Sequence, residues 1–175
     1  MVIDNSELNS IPLDKELAFI QLYLELESLR FGQSFKYTIE VSDEIDPEEV
    51  FIPSLIVQPF IENAIWHGLL HKEGIRELSI EFKLVDEEHL IFTVTDNGIG
   101  RKKASEIKAG GISVSNHHSK GMRITQERIE LVRLQTRFRP KIEVTDLFDS
   151  DGNAGGTRVT VTLPLDSSVY NDKEN

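Results

Sequence analysis

Gln58-Pro-Phe-Ile-Glu-Asn-Ala-Ile-Trp-His-Gly68 is an apolar run that is interrupted by two adjacent polar residues, Glu62 and Asn63. A buried polar group without a partner costs on the order of several kcal/mol, so a hydrophobic run has little structural use for them. A second stretch, Asp96-Asn-Gly-Ile-Gly100, places a carboxylate at a predicted strand end and follows it with a glycine turn. Two more stretches of the same polar and glycine-rich kind occur downstream, Ser119-Lys-Gly-Met122 and Gly155-Gly-Thr157. Their combination predicts one site for a metal ion and a phosphate chain.

The composition restricts the classes of protein to which the chain can belong. Its 175 residues predict a single domain, and 39% hydrophobic with 28% charged residues is typical of a globular protein. The absence of cysteine excludes disulfides and thiolate metal sites. A net charge of −11 argues against nucleic acid as a partner. No apolar run approaches the roughly 20 residues that a membrane-spanning helix needs.

The hydrophobic spacing predicts a chain of alternating helices and strands. Three amphipathic segments predict helices at 13–31, at 53–70 and at 121–136, and alternation predicts strands at 35–41, 78–84, 90–95, 142–144 and 157–163. Residues 99–119 have little periodicity and predict a long loop, which in a compact domain is usually functional. These elements predict an α/β fold, a two-layer sandwich with the helices on one face of the sheet.

The four stretches resemble the nucleotide-binding motifs of the GHKL ATPases, the superfamily of gyrase, chaperone, histidine kinase and MutL proteins. PFIENAIWHGL resembles the N box, DNGIG the DxGxG box, SKGMRITQERI the second glycine box, and GGTRVTVTLP the closing Gly-Thr strand. In this N box Glu62 directly precedes Asn63, an order that resembles the N box of the LytS/YehU type of sensor histidine kinase. The resemblance covers residues 11–165 and implies the Bergerat ATP-binding fold, with a mixed, mostly antiparallel sheet.

The resemblance implies ATP and Mg²⁺ as cofactors and assigns two central residues. Asp96 would accept a hydrogen bond from the adenine amine, and Gly98 and Gly100 would let the backbone approach the ring. Asn63 would bind Mg²⁺ through its amide oxygen, because this ion prefers oxygen ligands and bridges to phosphates. The structural alternatives are a turn-forming aspartate and a buried asparagine that is satisfied by neighbouring backbone.

Two other residues of the N box carry weaker assignments. Glu62 is a catalytic candidate that could position or deprotonate a nucleophile, and the alternative is a pairing with a basic group that only orders the helix. The hydrolytic GHKL branches carry their catalytic Glu one helical turn before the Asn, where this chain has Pro59, so phosphotransfer is favoured over hydrolysis. His67 shares a helix face with Asn63 and could bind a phosphate oxygen, although a lone helix His is often structural.

The remaining candidates lie on the lid, the second glycine box and the last strand. Residues 99–119 resemble the mobile lid over ATP, and the Lys and Arg residues in it and beside it would attract a triphosphate. The second glycine box departs from the family pattern, with Ser119 in place of Gly and Ile124 in place of Asn. A helix N-terminus still offers free amides to a phosphate there. The cofactor-binding candidates of these segments are Lys120, Gly121, Met122 and Thr157.

The resemblance also implies a larger protein around this chain. Residues 1–31 are expected to end a dimerisation and phosphoacceptor segment, 32–166 to form the ATP-binding catalytic domain, and 167–175 to form a polar tail. The chain would present the γ-phosphate to a His on a segment that it lacks, in a cytoplasmic part of a homodimeric, inner-membrane-anchored kinase. That kinase would pass the phosphoryl group to a response regulator. A GHKL hydrolase module and a degenerate nucleotide-sensing or interaction module remain as alternatives.

Overall fold

A computed structural model of the protein describes residues 10–110, 127, 129–130 and 140–165. Seven strands form two sheets. They are β1 (Ser10–Pro12), β2 (Phe35–Val41), β3 (Phe51–Pro53), β4 (Arg76–Leu84), β5 (His89–Asp96), β6 (Lys141–Phe148) and β7 (Ala154–Pro164). β1 pairs only with β3, and the main sheet has the order β2-β4-β5-β7-β6. Only β2 and β4 are parallel, so the predicted mixed, mostly antiparallel sheet is confirmed.

Within the described residues, three helices with complete bounds and one short 3-10 turn, Gly32–Ser34, accompany the two sheets. Helix α1 spans Leu13–Phe31, as predicted, and α3 spans Arg101–Gly110. Helix α2 spans Gln58–Asn63 and continues without a break into a π-helical segment, Ala64–Leu69. The wide turn is visible in the hydrogen bond from the Leu70 amide to the carbonyl of Ile65, five residues earlier.

The predicted start of the second helix at Pro53 is wrong. Pro53 is the last residue of β3 and pairs with Ser10 of β1, so the chain is still extended there. A turn that contains Leu55, with φ of 55°, separates β3 from α2. Local periodicity does not detect this arrangement, because a three-residue strand forms only through its pairing with a distant segment.

The predicted loop at 99–119 is also wrong over its first half, where the chain forms α3. The sequence of this helix consists mainly of good helix formers, including Arg, Lys, Ala and Glu. It has no clear apolar face, since Ile107 is exposed and Ala104 is only partly buried. A helix of this kind gives little periodic signal. The predicted helix at 121–136 lies mostly outside the described residues, although Glu127, Ile129 and Glu130 are helical.

The core lies between the sheet and helices α1 and α2. Alternate residues of β4 and β5 are buried, and the paired Phe82 and Phe92 meet at its centre. Phe60 of α2 packs edge-on against Phe92, with 5.4 Å between the ring centroids. Ile20 and Leu24 place α1 in the same core. No described helix is long and apolar enough to cross a membrane.

Candidate functional site

A cavity of about 670 Å³ lies between α2 with its π-helical segment, the ends of β5 and β7, and the start of α3. This volume is within the usual range of small-molecule sites. Most of the wall is apolar or glycine, with a few polar groups. The lining residues are Phe60, Asn63, Ala64, His67, Gly68, Val94, Asp96, Gly100, Arg101, Ala104, Ser105, Ile129, Ile142, Val144, Thr157 and Val159.

Asp96 is the most perturbed acid in this wall. It ends β5, is only 4% exposed, and pairs with Thr157 of β7. Burial raises the pKa of the Asp96 carboxyl to about 6, although hydrogen bonds from the backbone of Gly98 and Thr157 act in the opposite direction. The amide of Gly98 donates to Oδ1 over 2.8 Å. At neutral pH the group is therefore an ionised, nearly buried acceptor that points into an apolar cavity.

Close backbone packing surrounds this carboxylate. A Cβ on Gly68 would lie 2.6 Å from Asp96 Oδ1, and a Cβ on Gly98 would lie 2.4 Å from the backbone carbon of Gly68. The amide of Ile99 donates to the carbonyl of Gly68 over 3.1 Å, so the π-helical segment contacts the glycine turn directly. Only glycine fits at 68 and 98 without a shift of backbone or carboxylate. Sequence reasoning missed Gly68, although a glycine inside a helical pattern is itself a signal of close approach.

Asn97 fixes the orientation of the same turn. Its side-chain oxygen accepts from the amide of Glu77 over 2.8 Å, and its amide group donates to the carbonyl of Ile75 over 3.3 Å. Both bonds join the turn to the start of β4. The next two residues of the chain thus set the direction of the Asp96 side chain. Gly98 donates a hydrogen bond to it, and Asn97 ties the turn to the adjacent strand β4.

The structure brings Asn63 and His67 together at the cavity. Asn63 ends the α-helical part of α2, and His67 lies in the π-helical segment, whose turn is wider. As a result Asn63, His67 and Gly68 all line the cavity. In a regular helix Gly68 would be rotated further away from Asn63, so the π segment places the glycine beneath Asp96 while His67 still faces the cavity.

Glu62 does not line the cavity. Its Oε1 accepts a hydrogen bond from Nε2 of Gln58 over 2.9 Å, one helical turn earlier. It lies on the side of α2 that faces α1, where its charge helps to raise the pKa of Tyr23. The hydrogen-bond partner of Glu62 is thus the amide of Gln58 and not a basic group. Unlike Asn63, the Glu62 side chain does not contribute to the cavity wall.

Trp66 also lies on the α1 side of the helix. The guanidinium of Arg30 lies over its ring, 4.3 Å from the centroid. A contact of this kind is a cation–π interaction, which stabilises the packing of the end of α1 against the π-helical segment. Trp66 is therefore part of a helix–helix contact and not of the cavity wall.

The start of α3 closes one side of the cavity. Gly100 and Arg101 both line it, and Arg101 makes two hydrogen bonds of 2.7 Å to the carboxylate of Asp146 on β6. This pair lowers the pKa of Asp146 and raises that of Arg101. A bidentate pair fixes the direction of the guanidinium as well as its position. Sequence reasoning counted Arg101 only among the lid cations.

The other predicted residues divide into two groups. Thr157 lies in the cavity wall next to Asp96, with which it pairs across the strands, and Gly98, whose amide bonds to that carboxylate, lines a neighbouring cavity of about 470 Å³. Lys120, Gly121 and Met122 lie outside the described residues.

Comparison with family profiles identifies the family of this chain. The profile of the histidine kinase-, DNA gyrase B- and HSP90-like ATPases matches residues 48–167. The chain belongs to this family. Membership confirms the predicted resemblance to GHKL ATP-binding domains and the predicted fold class.

Curated relatives that match the chain include sensor proteins named LytS. The chain is 28% identical over 158 residues to the sensor protein LytS of Bacillus anthracis, which covers 88% of the chain and 25% of the relative. It is also 28% identical over 164 residues to the sensor histidine kinase/phosphatase LytS of Staphylococcus aureus strain Mu50, which covers 94% of the chain and 26% of the relative. The chain thus spans about a quarter of the length of these relatives.

Solved structures with the same fold include histidine kinases. The histidine kinase domain of the blue-light activated histidine kinase of Erythrobacter litoralis EL346 matches with a TM-score of 0.58 at 16% identity, covering 100% of this chain and 70% of that one. Full-length ShkA in complex with AMPPNP matches with a TM-score of 0.60 at 16% identity, covering 91% of this chain and 32% of that one. At such identities the likeness establishes the fold alone.

Proposed function

We propose that this chain is the catalytic ATP-binding domain of a sensor histidine kinase of the LytS type. The observation that carries the proposal is the shared cavity of Asp96 and Asn63, one of them a nearly buried carboxylate and the other a candidate metal ligand. Family membership and the two LytS relatives support it. The ShkA structure holds AMPPNP, an ATP analogue, in a chain of the same fold.

The residues around Asp96 fit an adenine ring. The ionised Asp96 would accept a hydrogen bond from the exocyclic amine. A side chain at 68 or 98 would displace this carboxylate or the adjacent backbone. The two glycines therefore allow Asp96 to face the cavity. Thr157 would add a hydroxyl beside it, and the apolar walls, including Val94 and Val159, would exclude water from the ring faces.

The residues around Asn63 fit a phosphate chain with a magnesium ion. Among the described residues there is no cluster of three or more His, Asp and Glu side chains that could bind a metal by itself. Mg²⁺ often takes only one or two protein ligands and completes its shell with phosphate oxygens and water. Asn63 would supply the protein oxygen. His67 and Arg101 would contact phosphate oxygens, and Gly100, Lys120, Gly121 and Met122 would complete the cofactor-binding set.

The kinase chemistry would depend mainly on positioning and charge neutralisation, as is usual in phosphoryl transfer. ATP supplies the γ-phosphoryl group, and the acceptor would be a His on a segment outside this chain. Glu62 remains a catalytic candidate only if its side chain leaves Gln58 and turns toward the nucleophile. For the whole protein we propose a homodimer that is anchored to the inner membrane, with this domain in the cytoplasm and a response regulator as the final acceptor.

Calorimetric titration with ATP tests the nucleotide site. The wild-type chain should bind Mg²⁺-ATP, the Asp96→Asn variant should lose binding, and Asn63→Ala should lose the difference between titrations with Mg²⁺ and with EDTA. Asp43→Asn removes an exposed carboxylate far from the cavity and serves as the matched control. Absence of binding by the wild-type chain, or equal binding by Asp96→Asn and wild type, would contradict the proposed site.

A second experiment tests the reaction class. The chain is mixed with radiolabelled ATP and a phosphoacceptor segment from a LytS relative, and acid-labile label on that segment is measured. We expect transfer that depends on Asp96 and Asn63, with little release of free phosphate by the chain alone. Steady hydrolysis without transfer would identify a hydrolase module instead.

A further inference from the structure

The neighbouring cavity of about 470 Å³, called here the second cavity, has no part in the proposed nucleotide site. It shares the glycine turn with that site, because Gly98 and Ile99 line the second cavity and Gly100 lines the nucleotide cavity. Its other walls come from the residues after the π-helical segment, from α3 and from the turn between β6 and β7. The volume is within the usual range of small-molecule sites.

The side chains around the second cavity are mainly basic. Lys72, Lys103 and His71 line it, and Glu73 is the single acidic side chain of the wall. The chain as a whole has the opposite balance, with 30 acidic and 19 basic residues. A cleft that is lined by one sign of charge concentrates the potential and attracts ions of the other sign. The second cavity therefore favours an anion.

The two ammonium groups have no partner of their own. Within the described part of the chain, neither Lys72 nor Lys103 forms a salt bridge. The nearby carboxylate of Asp149 accepts hydrogen bonds from the amide and Nδ2 of Asn153, so it is already occupied in the β6–β7 turn. An amide group has two N–H donors, and Asp149 uses one of those of Asn153. Two charges and further hydrogen-bond donors are thus available to a ligand.

The first turn of α3 serves both cavities. Arg101 lines the nucleotide cavity, and Lys103 lies two residues later, about 200° around the helix, in the wall of the second cavity. The bond from the amide of Ala104 to the carbonyl of Gly100 is the first of this helix, so the three preceding amides lack an acceptor within it. Their partial positive charge adds to that of Lys103 at this end of α3.

We propose that the second cavity binds a phosphate-type dianion, either as a free ion or as the charged group of a small molecule. Lys72 and Lys103 would be its charged contacts, and His71 and Asn153 would donate hydrogen bonds. Two ammonium groups match the charge of about −2 that a phosphate monoester carries above neutral pH, whereas a single carboxylate carries only −1. The site does not depend on the proposed function, since it requires neither ATP nor a phosphoacceptor.

Titration with sodium sulfate tests the site, because sulfate has the shape and charge of a phosphate dianion and does not precipitate Mg²⁺. Sulfate replaces chloride at constant ionic strength, and the amide signals of Gly98, Ile99 and Lys103 are followed by NMR. The experiment is run at pH 8, where Asp96 stays ionised, since Lys72 acts on the pKa of Asp96. We expect saturable shifts of these signals. Shifts that do not saturate would show ordinary screening and overturn the proposal.

Charge variants of the wall should act in opposite directions. Lys72→Gln and Lys103→Gln should each raise the dissociation constant of sulfate at least about twofold, and Glu73→Gln should lower it about twofold. The matched controls Lys83→Gln and Glu87→Gln should leave it unchanged. Lys83 pairs with Ile91 at the far end of the hairpin from Asp96, and Glu87 lies in the turn there.

Unaltered signals elsewhere in the amide spectrum show that each variant is folded. Equal effects of Lys72→Gln and Lys83→Gln would refute a site in this cavity.

A titration in the presence of saturating Mg²⁺-ATP separates the two cavities. The dissociation constant of sulfate should stay within about threefold of its value without nucleotide. Loss of saturable binding would show that sulfate had occupied a phosphate position of the nucleotide cavity, and the proposal would fail. The first titration contains no ATP, so failure of the nucleotide site leaves its result intact.

Inorganic phosphate and glycerol 3-phosphate distinguish the sources of the dianion in the same assay. Saturable shifts with either compound support the site, and the tighter ligand shows whether the free ion or a phosphate ester is preferred. Absence of saturation with both would overturn the proposal.

Discussion

The substitution Asp96→Asn should stabilise the folded chain while it abolishes nucleotide binding. The Asp96 carboxyl is nearly buried, and burial raises its pKa from 3.8 to about 6. The folded state therefore holds the Asp96 proton more tightly than the unfolded state does. At pH values above this pKa the ionised form is present, and its burial costs stability that an amide would not cost.

The magnitude follows from the shift in pKa. Two pKa units at 1.36 kcal/mol each give a penalty of about 3 kcal/mol in the ionised state. Between pH 3.8 and pH 6 the folded state binds more protons than the unfolded state, so stability falls as pH rises through this window. With these pKa values, about 1.4 kcal/mol of the loss falls between pH 5 and pH 8. An asparagine has one acceptor oxygen for the two backbone donors, which costs about 1–2 kcal/mol, so the net gain at pH 8 is about 1–2 kcal/mol.

Urea unfolding of wild type, Asp96→Asn and Asp43→Asn from pH 5 to pH 8 measures this effect. The difference between variant and wild type removes the contribution of all other carboxylates. This difference should grow in favour of Asp96→Asn as pH rises through about 6, and Asp43→Asn is the control for loss of an exposed carboxylate. Parallel profiles of wild type and Asp96→Asn would show that the Asp96 pKa is not raised in the folded state, and the reasoning would be refuted.

Three further substitutions test the contacts around the cavity. Gly68→Ala should place a Cβ against the carboxylate of Asp96, destabilise the fold by about 1–3 kcal/mol in urea unfolding and weaken ATP binding at least about tenfold in calorimetry. Glu16→Gln should cost about 2–3 kcal/mol in urea unfolding, because this buried carboxylate accepts from the amides that precede α2. Arg30→Ala should change the emission maximum of Trp66 by removing the cation over its ring, whereas saturation with nucleotide should change that fluorescence little.

Each of these has a matched control. Gly74→Asn alters a glycine with φ of 78° and open space around it, so it should leave binding unchanged and cost at most about 1 kcal/mol of stability for the left-handed backbone. Glu25→Gln removes an exposed carboxylate from the same helix as Glu16, and Arg158→Ala removes an exposed arginine far from Trp66. Equal losses in a control and its test variant would contradict the assigned contact.

The hairpin of β4 and β5 shows what the sequence predicts well. Its residues alternate between buried and partly exposed positions, and Phe82 and Phe92 pair as the alternation requires. The acidic turn between them ends both strands. Local pattern and tertiary burial agree here, so a periodicity of two predicts the strands to within two residues.

The N-box helix shows where such prediction ends. Its polar residues were visible, but their directions depend on a π-helical turn that no propensity reveals. A regular α-helix would place Pro59 on the same face as Asn63 and His67. In the structure Asn63 and His67 line the cavity and Pro59 does not. The buried role of Glu16 could not be predicted either, because the amides that bind its carboxylate lie about 40 residues further along the chain.

Helix α1 contacts the N-box helix at both of its ends, which limits how the two can move apart. Near its start, Glu16 accepts from the amides of Leu55 and Val57, directly before α2 begins. Near its end, Arg30 lies over Trp66 of the π-helical segment. A displacement of α1 must therefore break a buried charge-assisted contact or move the helix that carries Asn63 and Gly68. Because Gly68 packs against Asp96, even a small shift of that helix would change the space beside the carboxylate.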